Sequence, residues 1–317
     1  MILCITLNPC LDKTLVVPSW KPGDSVRGRS VREVVGGKGN NVARALDRLG
    51  RKPVRPVTFL GGAVGQRCEE LLRDEERLDP ILTRTAAATR EILTVRVDGF
   101  DEPTAFFDPD PVVTAAEARA LTIAVEAALA LGEVKTLTLS GSSPSPATHE
   151  VYSELIGLAR ARGVPSFLDT YGPSLAAIWG FWPTTMQVNL REAGQHLGLD
   201  KRPTDPQILE LLNTWSRRGV EVAVVTDGPN RFLASMRGKV SRIKPPAIEP
   251  VNPIGSGDCF LAGLVDGHLA GLRAEELLRH AVGCAVANAL VWDAGAIEVE
   301  EARRLAGEVV VEGLSGR

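Results

Sequence analysis

Short apolar runs alternate with helical patterns along the chain. The runs are rich in β-branched residues and cover Ile2 to Leu7, Val57 to Leu60, Val134 to Leu139, Ser166 to Leu168, Met186 to Val188 and Val222 to Thr226. Such continuous runs are typical of parallel strands buried on both faces. Between them, apolar residues recur at the helical spacing in Val42, Ala45, Leu46 and Leu49, which stop at Gly50, and again in Tyr152, Leu155, Ile156 and Ala159. The alternation predicts an α/β fold, doubly wound around a mostly parallel sheet with helices on both faces.

Two segments interrupt this alternation, Leu15 to Val35 and Glu91 to Phe107. In the second, two strands are predicted at Thr94 to Val97 and Thr104 to Phe107, joined by a turn at Asp98-Gly99 or at Asp101-Glu102-Pro103. Because no helix separates them, they should pair antiparallel. We expect the two segments to leave one edge of the parallel sheet and to meet over its carboxyl ends as a small β-sheet lid; the alternative is that they only decorate an edge. The chain then divides into a core of residues 1–11, 36–89 and 110–317 and a lid of residues 12–35 and 90–109.

A glycine-rich turn, Gly255-Ser256-Gly257-Asp258, leads into an apolar run. Glycines permit torsions and close approaches that other residues avoid, and the first N–H groups of a helix lack internal partners. The turn can therefore present donors to an anion. A carboxylate at Asp258 suits phosphoryl transfer to a hydroxyl, since it can take the proton while the N–H groups stabilise the phosphoryl oxygens. The alternative is that Asp258 only caps the helix and complements its dipole.

A second glycine cluster, Gly36-Gly37-Lys38-Gly39-Asn40-Asn41, also runs into a helix and adds a cation and two amides. This combination suits a polyhydroxylated or phosphorylated ligand, although a plain loop entry is the alternative. Asp12 follows the first strand, where loops at the carboxyl ends of a parallel sheet form ligand crevices. There is no G-x-x-x-x-G-K-[ST], and Val42 and Phe260 stand where G-x-G-x-x-G needs its third glycine. Neither a Walker-type NTPase nor a Rossmann dehydrogenase is predicted.

Charge and cysteine content narrow the expected partners and compartment. With 317 residues, 44% hydrophobic, and a formal net charge of −3, the chain has the composition of an ordinary globular protein, so neither nucleic acid nor a membrane surface is an expected partner. The five cysteines include no C-x-x-C pair and the four histidines show no metal-ligand spacing. A reducing compartment fits, without a zinc site. The chain start lacks a basic n-region, and no segment approaches the ~18 apolar residues that span a bilayer, so we expect a cytoplasmic protein.

Seven motifs occur in the order seen in ribokinase-like (PfkB) carbohydrate kinases. They are TLNPCLD at Thr6 to Asp12, GGKGNNVARALDRLG at Gly36 to Gly50, SGSSP at Ser140 to Pro144, LDT at Leu168 to Thr170, N-x-x-E at Asn189 to Glu192, TDG at Thr226 to Gly228 and NPIGSGD at Asn252 to Asp258. The chain resembles this family over nearly its whole length, and most resembles its 1-phosphofructokinase and tagatose-6-phosphate kinase branch. The resemblance implies a ribokinase-like fold with a β-sheet lid. It also implies a kinase that transfers the γ-phosphoryl group of Mg-ATP to a hydroxyl of a ketohexose phosphate, such as fructose 1-phosphate or tagatose 6-phosphate.

The resemblance also implies roles for individual residues. Catalysis would fall to Asp258 as the base, with an anion hole formed by Gly255, Ser256 and Gly257. The sugar phosphate would be contacted by Asp12, Gly37, Lys38, Asn41 and Arg90. The magnesium ion of Mg-ATP would be organised, through water, by Asn189 and Glu192. The nucleotide would be contacted by Asn189, Thr226, Gly228 and Asn288.

The chain departs from the family pattern near the substrate and the nucleotide. Gln187-Val188 stands where relatives commonly have Lys-Pro, the predicted strand Thr104 to Phe107 lacks a basic residue that often grips the substrate phosphate, and Pro229-Asn230-Arg231 replaces a small-acidic-Gly turn. Two alternatives therefore stay open, a kinase of an unphosphorylated sugar or nucleoside and a sugar-binding regulator without turnover. The reacting sugar, its hydroxyl, activation by monovalent cations and allosteric regulation are not predicted. Because unpaired strand edges are commonly covered, a homodimer formed through the lid is expected.

Overall fold

The structure is a computed structural model that describes residues 1–97 and 103–314. Its strands are β1 (Ile2–Thr6), β2 (Cys10–Val17), β3 (Ser30–Gly36), β4 (Val54–Leu60), β5 (Ile81–Arg84), β6 (Arg90–Val97), β7 (Thr104–Phe107), β8 (Thr136–Ser140), β9 (Ser166–Asp169), β10 (Thr185–Asn189), β11 (Val222–Thr226), β12 (Phe232–Met236), β13 (Lys239–Lys244) and β14 (Val310–Gly313). Its α-helices are α1 (Lys38–Arg48), α2 (Gly62–Glu70), α3 (Ala115–Ala130), α4 (Val151–Arg160), α5 (Gly172–Ala176), α6 (Leu190–His196), α7 (Asp205–Arg217), α8 (Ser256–Leu269), α9 (Glu275–Ala289) and α10 (Val299–Glu308).

A ten-stranded sheet in the described residues forms the centre of the molecule. Its strand order is β14-β13-β12-β11-β10-β9-β8-β1-β4-β5. Every pair from β11 through to β5 is parallel, whereas β12, β13 and β14 add an antiparallel edge. The predicted mostly parallel α/β sheet is confirmed, and all six predicted runs contain strands. The antiparallel edge was not predicted.

The main sheet is buried on both faces. In β1, Ile2 and Cys4 belong to one apolar layer, while Leu3 and Ile5 belong to the other. The first layer also contains residues of α1, α8, α9 and α10, and the second contains residues of α3, α4 and α7. Since successive side chains of a strand point to opposite faces, a strand covered by helices on both sides needs apolar residues throughout. The continuous apolar runs in the sequence follow from this arrangement.

A smaller four-stranded sheet has the order β3-β2-β6-β7 and is called the lid here. Its central strands β2 and β6 are parallel, and each pairs antiparallel with its outer neighbour. Thr94 lies opposite Ala105, which confirms the predicted antiparallel pairing of these two strands. Residues 98–102, where the connecting turn was predicted, lie outside the described residues.

The two lid segments do not both leave from an edge of the main sheet. β1 pairs with β4 on one side and with β8 on the other, so the segment that follows β1 leaves from the interior of the sheet. Only the second segment leaves from the edge, after β5. The expectation of a common edge was wrong because the sheet grows in both directions from β1. Among the described residues, no helix is both long and apolar enough to cross a bilayer.

Candidate active site

A cleft of about 420 Å³ lies between the lid and the carboxyl ends of the central strands. Strand order in the main sheet reverses between β1 and β8, and α/β proteins form ligand crevices at such points. One face of the lid covers the cleft, because Asp12 and Thr14 of β2 lie beside Ile92 and Thr94 of β6 in the register. Most of the predicted site residues meet here, namely Asp12, Gly37, Lys38, Asn41, Arg90, Asn189, Glu192, Gly255, Gly257 and Asp258.

The helix α8 begins from Gly255, whose φ of +83° lies in the left-handed region. A Cβ atom on Gly255 would lie 2.5 Å from the Cβ atom of Ala294, so both the torsion and the available space require glycine. Ser256, Gly257 and Asp258 form the first helical turn, where the amides have no carbonyl before them in the helix. The N–H of Ser256 donates to the carbonyl oxygen of Pro253 at 3.2 Å, so the turn leaves the N–H groups of Gly257 and Asp258, with the positive end of the helix dipole, for an anion in the cleft.

Two buried amide side chains hold this turn in place. Gln187 donates from Nε2 to the carbonyl oxygen of Gly257 at 2.8 Å. Asn288 donates from Nδ2 to the carbonyl oxygen of Ile254 at 2.8 Å and to Oγ of Ser256 at 3.3 Å. The neutral Gln187, at the position where relatives commonly carry lysine, therefore has a structural contact with the glycine turn.

Asn288 lies beneath the turn and is 0% exposed. Its Oδ1 accepts a hydrogen bond from the Gly295 N–H at 2.8 Å, and Sγ of Cys259 donates to the same oxygen at 3.3 Å. The side chain of Asn288 is therefore buried beneath the turn, whereas the resemblance implies that it contacts the nucleotide. Thr226 ends β11, beside Asn189 in the register, and Gly228 follows it in a turn with φ +54°.

The Asp258 carboxyl is 5% exposed and faces α1. Nδ2 of Asn41 donates to its Oδ2 atom at 2.8 Å. Burial raises the pKa of Asp258 to about 7; the positive charge of Lys38 and the Asn41 hydrogen bond oppose the shift, while Asp169 and Glu192 add to it. A carboxyl with a pKa in this range exchanges a proton readily near neutral pH, as a general base must.

Lys38 lies between two buried carboxylates. Its Nζ atom is 2.9 Å from Oδ1 of Asp169 and 3.2 Å from Oε1 of Glu192, and it lies 5.4 Å from the ring centre of Tyr171. Burial opposes the charge on Lys38, but Asp169 and Glu192 outweigh burial and raise the pKa of the ammonium group. Lys38 is therefore a fixed cation whose ion-pair partners are Asp169 and Glu192.

Asn189 and Glu192 form a reciprocal capping box at the start of α6. Oδ1 of Asn189 accepts from the Glu192 N–H, and Oε2 of Glu192 accepts from the Asn189 N–H, both at 2.9 Å. No cluster of three or more His, Cys, Asp and Glu side chains that could hold a metal directly occurs within the described parts of the chain. A carboxylate and an amide oxygen at the cleft still fit a magnesium ion that keeps most of its water, because both are hard oxygen ligands.

Arg90 lies at the start of β6 with an incompletely paired guanidinium group. Nε has no hydrogen-bond partner, NH2 donates to the carbonyl oxygen of Asn8 at 3.4 Å, and NH1 lies 3.6 Å from Oδ1 of Asp110. Asn8 in turn donates from Nδ2 to Asp110 at 2.8 Å and to Oγ of Ser142 at 3.0 Å. An anion entering the cleft would find donors here, but it would also meet the carboxylate of Asp110.

The other predicted sugar contact on the lid, Asp12, is close to these residues in the cleft. Sγ of Cys10 donates to Oδ1 of Asp12 at 3.4 Å, and burial raises the pKa of Asp12. A Cβ atom on Gly36 would lie 2.1 Å from Oδ2 of Asp12, so the glycine makes room for this carboxylate. Asp12 is thus held at the cleft surface with oxygen atoms that can accept hydrogen bonds from hydroxyl groups.

Three residues of the site had no role assigned from the sequence. Asp169 ends β9 and could have been found by the same rule that selected Asp12, since it also lies at the carboxyl end of a parallel strand. Asn8 follows β1 and belongs to the TLNPCLD motif, but the motif gave it no role. Asp110 had no signal, because an aspartate between two prolines is also typical of a solvated loop.

The fold and the site together define a lid-covered α/β protein whose cleft combines a glycine-rich helix start with a buried carboxyl group. The chain belongs to the pfkB family of carbohydrate kinases, whose family model matches residues 4–302. A structure described as a "Possible 1-phosphofructokinase" from Thermotoga maritima is 25% identical to the chain, with a TM-score of 0.86 and coverage of 99% of this chain and 100% of that one.

Two further solved structures share the fold. Phosphofructokinase-2 from Escherichia coli, in a tetrameric inhibited form, is 23% identical with a TM-score of 0.84, covering 97% of this chain and 98% of that one. A carbohydrate kinase from Agrobacterium tumefaciens is 22% identical with a TM-score of 0.76, covering 99% of each chain. The predicted ribokinase-like fold and the predicted membership of the PfkB carbohydrate kinases are both confirmed.

Proposed function

We propose that this protein is an ATP-dependent kinase that transfers the γ-phosphoryl group of Mg-ATP to a hydroxyl group of a ketohexose phosphate. The observation that carries the proposal is the position of Asp258, a buried carboxyl with a pKa of about 7 in the first turn of α8. In that place one group can accept the hydroxyl proton while neighbouring amides meet the transferred phosphoryl group.

In the proposed reaction, the residues of the cleft have different roles. Asp258, as carboxylate, accepts the proton from the attacking hydroxyl at its free oxygen, while Asn41 holds the other oxygen. The N–H groups at the start of α8 stabilise the charge that develops on the phosphoryl oxygens. Lys38 adds a fixed positive charge beside Glu192. A magnesium ion, held through water by Asn189 and Glu192, would neutralise charge on the nucleotide phosphates.

The lid has its own part in the proposed reaction. β2 and β6 cover the cleft with Asp12, which can accept hydrogen bonds from sugar hydroxyls, and with Arg90 at the start of β6. Covering the cleft excludes water, which would otherwise compete with the sugar hydroxyl for the phosphoryl group. The lid therefore favours transfer to the sugar over hydrolysis of ATP.

A phosphorylated sugar is the favoured substrate because Arg90 has unused hydrogen-bonding capacity. Its Nε is buried without a partner, and its other contacts lie at 3.4 Å and 3.6 Å, which is long for a charged pair. A substrate phosphate would complete the hydrogen bonding of this guanidinium group, with Ser142 and Asn8 nearby. Fructose 1-phosphate and tagatose 6-phosphate are the proposed acceptors, in keeping with the family branch that the motifs resemble.

One observation favours the second candidate, a kinase of unphosphorylated sugars or nucleosides. Asp110 already places a carboxylate against Arg90 and hydrogen bonds to Asn8, so it neutralises the charge that would attract a phosphate. Its side chain is 48% exposed and can move away. The two candidates therefore differ in whether Asp110 is displaced by the substrate or remains in place as part of the sugar site.

The deciding experiment is a coupled ADP-release assay with Mg-ATP. The acceptors are fructose 1-phosphate, tagatose 6-phosphate, fructose 6-phosphate, fructose and ribose, with a reaction lacking acceptor as the background. Turnover on a phosphorylated ketohexose supports the main proposal, and turnover only on free sugars supports the alternative. Thermal stabilisation by a sugar without turnover on any acceptor would instead indicate a sugar-binding regulator.

Two variants connect the substrate class to the structure. Arg90→Gln should raise the KM for a phosphorylated acceptor by about tenfold or more, because a charge-assisted contact is lost, and should leave the KM for ATP unchanged. Arg84→Gln is the matched control, since Arg84 is an exposed arginine that pairs with Glu69. Asp110→Asn should lower the KM for a phosphorylated acceptor; a raised KM for a free sugar would favour the alternative.

A further inference from the structure

We propose that Arg44 is a positioning residue for phosphoryl transfer, which fixes the side-chain amide of Asn41 so that its NH2 group faces Asp258. The inference rests on the proposed function, in which Asp258 is the base. Arg44 lies in α1, one turn after Asn41, and its side chain is 11% exposed. It lies outside the set of residues that line the cleft, so any effect on the reaction must pass through another group.

The Arg44 guanidinium joins four parts of the molecule. NH1 donates to Oδ1 of Asn41 at 3.0 Å and to the carbonyl oxygen of Ala294 at 2.7 Å. NH2 donates to the carbonyl oxygen of Val35 in the lid strand β3 at 2.9 Å, and it pairs with Oε1 of Glu76 at 2.6 Å. Each acceptor is fixed in the fold, so the planar guanidinium is held in one orientation.

This orientation determines which atom of Asn41 faces Asp258. A guanidinium group has only donors, so the Asn41 atom that meets Arg44 must be the carbonyl oxygen. The NH2 group must then point the other way, and there it donates to Oδ2 of Asp258 at 2.8 Å. Without Arg44, the amide could rotate by half a turn and present its oxygen to the carboxylate, which would repel it.

The same side chain also supports the anion-binding turn. Ala294, whose carbonyl Arg44 holds, packs against Gly255, as shown by the 2.5 Å approach of a Cβ built on that glycine. A Cβ atom on the adjacent Gly295 would lie 2.7 Å from the carbonyl oxygen of Asn41, so this loop lies directly on α1. Arg44 thus sets the distance between the two groups that the reaction needs together, the base and the turn.

The test is a double-mutant cycle of the wild type, Arg44→Met, Asn41→Ala and the double variant, assayed with the acceptor that the wild type uses. Each single variant should lower kcat by about tenfold or more, the size expected for a lost hydrogen bond to a charged group, and should leave the KM for ATP within about twofold. The double variant should be no slower than Asn41→Ala, because Arg44 acts through Asn41. Multiplication of the two losses would overturn the inference.

A pH profile adds a readout that a purely structural role would not change. The Asn41 hydrogen bond lowers the pKa of Asp258, so its loss in Arg44→Met should move the acid limb of kcat/KM to higher pH. Lys38, Asp169 and Glu192, which also act on Asp258, are unchanged in this variant. The variant does lose the positive charge of Arg44, which lowers the pKa of Asp12, so its shift is compared with that of Arg44→Lys, which keeps the charge. An acid limb at the wild-type position would contradict the proposal.

Two further variants test whether the effect of Arg44→Met is only a folding defect. Arg44→Lys keeps the positive charge but replaces the planar guanidinium group with a single ammonium nitrogen. Its kcat should fall less than that of Arg44→Met. Arg48→Met, at an exposed arginine of the same helix, is the matched control and should leave kcat and the acid limb unchanged; a shift equal to that of Arg44→Met would overturn the inference. A wild type that releases no ADP with any sugar would instead contradict the proposed function.

Discussion

At the residue scale, the cleft places three carboxyl groups, those of Asp169, Glu192 and Asp258, near the ammonium group of Lys38. Asp169 and Glu192 pair directly with Lys38, and Asp258 has no cation in hydrogen-bonding contact among the described residues. Burial and the two neighbouring carboxylates therefore disfavour its ionised form. The arrangement costs stability and leaves a carboxyl group that gains and loses its proton near neutral pH, as the proposed base must. Two measurements should test the stability cost and the proposed role of Asp258 as the base.

The first measurement is the stability and activity of Asp258→Asn. The folded pKa of Asp258 is about 7 against an ordinary value of 3.8, so between these pH values the folded state holds a proton that the unfolded state releases. Rising pH destabilises the wild type across this window, by up to about 4 kcal/mol for one such group. The amide cannot ionise, so the variant should unfold at a higher temperature than the wild type at pH 8 and at about the same temperature at pH 4.

In the same variant, kcat should fall by about 10²- to 10⁴-fold, the range expected when a general base is lost. The KM for ATP should stay unchanged, because the base acts in the transition state. Differential scanning fluorimetry and the ADP-release assay measure the two effects in one preparation. A variant as active as the wild type would remove Asp258 from the role of base.

The second measurement is the pH dependence of the wild type. Because the proposed reaction needs Asp258 as carboxylate, kcat/KM should fall by about tenfold per pH unit below a midpoint near pH 7. The slow residual reaction of Asp258→Asn should lack this limb. A wild-type profile that is flat down to pH 5 would show that the group with a pKa of about 7 takes no part in the reaction.

Residue roles could be read from the sequence only where they follow from strand ends and glycine turns. Asp12, Lys38, Asn41 and Asp258 were selected in that way or through family motifs, and the structure brings them into one cleft. Contacts between segments that are distant in the chain could not be inferred from the sequence. The pairing of Arg90 with Asp110 spans a lid connection, and the burial of Asn288 depends on a loop that packs back on the turn.

At the element scale, the start of α8 depends on one backbone conformation. Gly255→Ala would introduce a side chain at φ +83°, which costs about 1–2 kcal/mol, and would also force the new Cβ atom into Ala294. The variant should have a lower melting temperature and lower kcat, because the displaced turn no longer directs its amides at the cleft. Gly307→Ala is the control: nothing lies within 4 Å of its Cβ position, so the helix α10 should be unaffected or slightly stabilised. Equal melting temperatures and activities in both variants would show that the turn tolerates a side chain.

The elements that the sequence revealed best are those covered on both faces. β1, β9 and β11 are buried along nearly their whole length, so apolar composition alone located them. β13 and β14 were missed because they are half-exposed at the end of the sheet, and their polar residues resemble a loop. β12 was missed although it is buried. The parallel pairing of β2 with β6 was missed as well, since it joins segments about 80 residues apart and has no local signal.

At the scale of the whole molecule, the lid leaves apolar surface and strand edges open. Within the described residues, β3 and β7 each pair with one neighbour only. Val31 on β3 is 58% exposed, and Phe107 on β7 is 65% exposed. Exposed edges with large apolar side chains favour pairing with another chain, and a second copy of this chain offers a matching edge.

We therefore predict a homodimer that forms through the lid, with a mass in light scattering after size-exclusion chromatography of twice the chain mass at micromolar concentration. Phe107→Ser should shift the equilibrium towards monomer, because it removes apolar surface from the proposed interface. Leu131→Ser is the matched control, since Leu131 is 71% exposed just after α3 and outside the lid. A wild-type monomer would contradict the prediction outright. A dimer weakened by the control variant and not by Phe107→Ser would place the interface on the core, and the lid would then close over each cleft without help from a partner.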